Sequence, residues 1–91
     1  MKEIPQDKVV YKTTNVFDLN SAPKAILNNH STKSGIWGKI NVIEGSLLYT
    51  IQSNPQEETL LTPEKYGVVE PEVIHKVSPR DNVKFYIEFL K

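Results

Sequence analysis

The strongest constraint on the fold is a two-residue alternation that recurs in short segments and is repeatedly broken by turn residues. From Gly35 to Ile43, Ile36, Gly38, Ile40 and Val42 lie on one face of an extended chain, and Trp37, Lys39, Asn41 and Ile43 on the other. Val83, Phe85, Ile87 and Phe89 repeat the pattern against Lys84, Tyr86 and Glu88. Ser46 to Gln52, with Leu47, Tyr49 and Ile51 facing one way, follows a Glu44-Gly45 turn signal. Two alternating runs joined by two such residues predict a β-hairpin, with Gly45 at positive φ. Almost no helical period competes. Short strands at short intervals imply an all-β sandwich or barrel.

The remaining segments fit that class. Lys8 to Thr14 is rich in β-branched residues and tyrosine and reads as a strand. Ser21-Ala22-Pro23 supplies an N-cap serine and an early proline, which predicts one or two helical turns ending at Asn28-Asn29. Ser53 to Glu58 and Ser78 to Asn82 read as loops, with Glu57-Glu58 a solvated pair. Thr59 to Leu61 and Tyr66 to Val69 read as short strands. Pro71 removes a backbone donor and forces a turn or an edge before the strand resumes over Val73 to Val77.

Composition limits function. A chain of 91 residues is sized for one domain, and burying about 60–65% of its unfolded surface gives a thin core. Eleven basic residues balance eleven acidic ones, which speaks against a nucleic-acid binder or an anionic membrane surface as partner. Weak charge repulsion suits a homodimer as well as a monomer. With no cysteine, thiolate chemistry, disulfides and cysteine zinc sites are excluded. No apolar run approaches the ~18 residues of a spanning helix, and Met1 to Lys8 places acid and proline where a signal peptide has its apolar core. A cytoplasmic location is the expectation.

Chemistry centres on the two histidines, His30 and His75, each beside a strand and a turn. Two converging imidazoles would bind a divalent transition metal such as zinc, iron or nickel if a third ligand joined them. Glu70 and Glu88 are the candidates for that third ligand, although alternation turns Glu88 away from a core formed by Phe85, Ile87 and Phe89. The plainer alternative gives both histidines ordinary hydrogen bonds in a loop and a strand. Trp37 and Lys39, two apart on one face, would supply an aromatic wall and a cationic clamp for a small ligand. Their alternative is a core or subunit-interface tryptophan with a lysine alongside. Lys33 reads as a solvated loop lysine, with reach to a cavity mouth as the alternative. The four glycines do not space as a phosphate loop, and no serine sits in a nucleophile elbow.

The run Trp37-Gly38-Lys39-Ile40-x-Val42-Ile43-Glu44-Gly45-Ser46-Leu47, followed by Glu70-Pro71-x-x-x-His75-x-Val77, resembles the cupin superfamily. With His30-x-Thr32-Lys33-x-Gly35-x-Trp37-Gly38-Lys39 it more closely resembles the small TehB/YeaR-like domain related to tellurite-resistance proteins. The resemblance implies a double-stranded β-helix, or jelly roll, over nearly the whole chain. It also implies a metal-binding cupin acting on a small polar or oxyanion-type molecule in a stress response. His30 and His75 take the places of two cupin ligands, Thr32 stands where another histidine would be, and Gly38 where the glutamate would be. Methyl transfer, which follows this domain in tellurite-resistance proteins, is not expected of a chain ending at Lys91. Two other functions fit the same residues: a metal-free ligand-binding or sensing module, and a homodimeric interaction domain.

Overall fold

The computed structural model describes all 91 residues and is all-β with a single helical turn. Its elements are β1 (Val10–Thr13), α1 (Lys24–Leu27), β2 (Trp37–Ile51), β3 (Glu57–Leu61), β4 (Gly67–Val69) and β5 (His75–Leu90). They form one open antiparallel sheet in the order β1-β5-β2-β3, with β4 also paired to β2.

Two long strands dominate. β2 and β5 pair antiparallel from Trp37↔Leu90 at one end to Ile51↔His75 at the other. The hairpin expected at Glu44-Gly45 is instead a bulge inside one continuous strand, where the register shifts between Val42 and Glu44 and again between Glu44 and Ser46. The buried parity changes there: Gly38, Ile40 and Val42 before it, Leu47 and Tyr49 after it. A hairpin and a bulge both change parity, so the pattern alone did not separate them. Gly45 does have the expected positive φ, 73°. Directly opposite, the loop expected over Ser78 to Asn82 is also strand, carried through its bend by Asp81 and Asn82 at φ 53°. Ser46 Oγ ties the two bends together by donating to Asp81 Oδ2 at 2.9 Å.

The core lies on one face of this strand pair. Ile40, Val42, Leu47, Tyr49, Leu61, Val69, Val77, Val83, Phe85 and Ile87 form one buried cluster, with Phe17, Ile26, Leu27 and Phe89 packed against it. β4 packs tightly at Gly38, where a Cβ would meet Val69 Cβ at 3.0 Å. The space that a glutamate would need at this position belongs to Val69. Phe17, outside any strand, exchanges two backbone hydrogen bonds with Phe85, and the two rings stack tilted at 5.7 Å. The Phe17 and His30 bridges to β5 anchor both ends of the irregular segment that carries α1.

Candidate functional site

The segment after α1 returns to the sheet at His30, which pairs with the first residue of β5, His75. His30 N–H donates to the His75 carbonyl at 3.0 Å, and His75 N–H donates back to the His30 carbonyl at 2.8 Å. This pairing brings the imidazoles together, with ring centroids 4.2 Å apart and planes tilted by 56°. The expected convergence of the two histidines is therefore present. Each ring is held by a bond to its own backbone: His30 Nδ1 donates to the Asn28 carbonyl at 3.1 Å, and His75 Nδ1 to the Val73 carbonyl at 2.9 Å. The His75 and Tyr49 rings pack edge to face, with centroids 5.7 Å apart. His75 is only 3% exposed. Burial pushes its pKa below the ordinary 6.5, and neighbouring His30 adds to that, while the Val73 carbonyl opposes it.

Both rings line an inner recess, and His30 also lines a second one that adjoins it. An inner chamber of about 30 Å³ is lined by both histidines, Thr32 and the aliphatic floor of Ile40, Val69, Val77 and Ile87. It shares Ile26, His30, Thr32 and Phe89 with an outer recess of about 400 Å³, to which Tyr11, Lys12, Ser31, Lys33 and Ile36 add their side chains. The outer recess has two lysines and no carboxylate. The His30–Ile36 loop is fixed by Thr32, whose hydroxyl donates to the Ile36 carbonyl at 2.8 Å and whose carbonyl accepts from Glu72 N–H at 3.0 Å. Thr32 thus lines both recesses, and Lys33 lines the outer one.

The metal-centre expectation is corrected here. No three histidine, aspartate or glutamate side chains are grouped to hold an ion. Glu88 lies on the outer face of β5 and accepts from Asn41 Nδ2 at 2.9 Å. Glu70, just past β4, pairs with Lys2 at 2.9 Å and lines a different recess, beside Tyr49, Glu57 and Val73. Two imidazoles without a third ligand do not make a zinc, iron or nickel site. Trp37 and Lys39 project from the face of β2 opposite Gly38 and Ile40. Neither lines the histidine cavity, and Lys39 Nζ lies 4.5 Å from the centre of the Tyr66 ring. Lys12 and Tyr11 of β1 were not singled out by sequence. Only the pairing of β1 with the end of β5 brings them to the recess.

The chain has relatives among known proteins. It is 34% identical over 73 residues to a protein of Haemophilus influenzae strain Rd named probable S-adenosyl-L-methionine-dependent methyltransferase TehB, covering 76% of this chain and 26% of that protein. The same protein of Haemophilus influenzae strain 10810 is 33% identical over 73 residues, with the same coverage. The chain thus spans about a quarter of the length of these relatives. These names overturn the reading as a metal-binding stress-response cupin. Among solved structures, an Escherichia coli K12 protein superposes with a TM-score of 0.88 at 22% identity, covering 100% of this chain and 97% of that one, which shows a shared fold. TehB from Haemophilus influenzae superposes with a TM-score of 0.83 at 28% identity, covering 93% of this chain and 32% of that one. Residues 12–87 match the TehB-like domain family, and the chain belongs to it.

Proposed function

We propose that this domain is a small-molecule-binding module of an S-adenosylmethionine-dependent methyl-transfer system, and that it holds the reactant other than the cofactor against the paired rings of His30 and His75. The observation that carries this reading is the imidazole pair in the wall of an inner chamber, whose His30 also lines a recess of about 400 Å³, a volume within the ~300–1,000 Å³ common for small-molecule sites. The methyl-transfer context comes from the relatives' names, and the domain accounts for about a quarter of those proteins. In this reading the bent open sheet is part of a double-stranded β-helix, which suits the role because bent strands around a cavity place polar groups on an apolar wall.

S-adenosylmethionine itself fits the histidine recess poorly. Its sulfonium carries positive charge, and its ribose diol is commonly held by a carboxylate. Here the recess offers Lys12 and Lys33 and no acid. In this reading the chain's own residues bind and orient the second reactant, and the chamber wall shields it from water.

The test is a titration of the full chain followed through the imidazole resonances of His30 and His75. The titrants are S-adenosylmethionine and a panel of small polar metabolites. A panel compound should shift both rings and S-adenosylmethionine should not. Saturable binding of S-adenosylmethionine that His30→Ala abolishes would refute the assignment to the second reactant. A panel that leaves both rings unmoved would refute the binding role.

A further inference from the structure

The two imidazoles share an acceptor capacity that the protein leaves unused. Both Nδ1 atoms face backbone carbonyls, at 3.1 Å for His30 and 2.9 Å for His75. A carbonyl only accepts, so each neutral ring keeps its proton on Nδ1 and presents a lone pair at Nε2. Neither Nε2 has a hydrogen-bond partner within the protein. His75 is 97% buried, reckoned from its 3% exposure, yet no sealed side-chain nitrogen or oxygen lacks a partner. Its Nε2 therefore opens onto the cavity that the ring lines. Such an acceptor calls for a ligand that donates a hydrogen bond.

The chamber sets the size and charge of that donor. At about 30 Å³ it offers roughly the share of one water molecule in the liquid. Its remaining wall is Ile26, Ile40, Val69, Val77, Ile87 and Phe89, and the Thr32 hydroxyl is already committed to the Ile36 carbonyl. A charged group placed there would lose its hydration and find no counter-charge. The donor is accordingly neutral and small, and a hydroxyl meets both conditions. Conditions reverse a few ångströms outward. Lys12 and Lys33 line the outer recess with no acid among its walls, and neither belongs to the molecule's four ion pairs. A ligand whose body fills that recess gains from an anionic end.

We propose that the cavity selects a small hydroxylated carboxylate. The hydroxyl enters the chamber and donates to imidazole Nε2, while the carboxylate stays outside with Lys12 and Lys33. This assignment rests on the ligand-binding reading above and gives its ligand a chemical class.

The experiment titrates the full chain with hydroxy acids of two to six carbons, with the matching carboxylates lacking the hydroxyl, with the matching alcohols lacking the carboxylate, and with the matching amino acids. Calorimetry and the His75 ring resonance are the readouts. At least one hydroxy acid should bind about tenfold more tightly than each of its three counterparts, the worth of one well-made hydrogen bond or charge contact. The double variant Lys12→Ala, Lys33→Ala changes exposed side chains and should keep the wild-type melting temperature. It should erase the advantage over the alcohol and leave the advantage over the deoxy acid. Equal binding of the deoxy acid, or tighter binding of the amino acid, would overturn the assignment. If hydroxy acids leave His75 unmoved while another polar metabolite shifts it, the class fails and the binding role stands. If nothing shifts it, both fail.

Discussion

Substituting Gly45 by alanine tests the feature on which the whole sheet turns. Gly45 has φ 73°, and a Cβ there would lie 2.5 Å from the Asp81 carbonyl oxygen, 2.7 Å from Val83 Cα and 2.9 Å from Val83 N. All three are backbone atoms of β5, so no side-chain rotation relieves the clash. The left-handed conformation alone costs an L-residue about 1–2 kcal/mol, and forcing two packed strands apart adds about 1–3 kcal/mol. The expected loss is about 2–5 kcal/mol. A domain of 91 residues has about 5–14 kcal/mol in total. Gly35 is the internal control: its φ is similar, 78°, but a Cβ there meets nothing within 4 Å. Gly35→Ala should therefore cost only the conformational part, about 1–2 kcal/mol. Urea unfolding followed by circular dichroism and by the single tryptophan, Trp37, reads both variants. Equal losses at the two glycines would refute the claim that contact between the paired bulges, rather than local dihedral preference, makes glycine necessary at position 45.

Three further outcomes are expected. Removing the Tyr49 hydroxyl, which donates to the Val68 carbonyl at 2.9 Å, leaves a buried acceptor without its partner, so Tyr49→Phe should lose about 1–3 kcal/mol by chemical denaturation. Phe85, fully buried against Phe17, should cost about 3–5 kcal/mol on truncation to alanine, measured the same way. Stability should also fall as the solution is acidified below about pH 6.5. The folded His75, buried and faced by His30 and Tyr49, takes up a proton at lower pH than the unfolded chain, so acid favours the unfolded state until the folded ring itself titrates. Melting temperatures of wild type and His75→Gln between pH 8 and pH 5 check this, since the variant should lose part of the pH dependence.

The strands were legible because alternation is a local property. Ile40 and Val42, Leu47 and Tyr49, and Phe85 and Ile87 all face the core as their spacing requires. The chain's course through Glu44-Gly45 was not legible. Glycine at positive φ serves a two-residue turn and a bulge equally well, and only the partner strand, bent in the same place by Asp81 and Asn82, decides between them. The meeting of His30 and His75 was anticipated, because each lies at the end of a segment with a turn behind it. The glutamates were not placed correctly, for two different reasons. Glu88 obeys the alternation that already turned it away from the core, whereas Glu70 leaves β4 toward Lys2, a long-range partner that spacing cannot disclose. Lys12 was missed because its role depends on β1 lying beside β5, a pairing between the two ends of the chain.

The exchange of amide hydrogen bonds between His30 and His75 gives this protein a built-in gauge. The residues whose side chains would touch a guest are also the ones whose main chains clamp the His30–Ile36 loop to the start of β5. A guest that stiffens the rings must also slow deuterium uptake at those two amides. Two protons, read in a single exchange spectrum, thus report occupancy and latching together without any label on the guest.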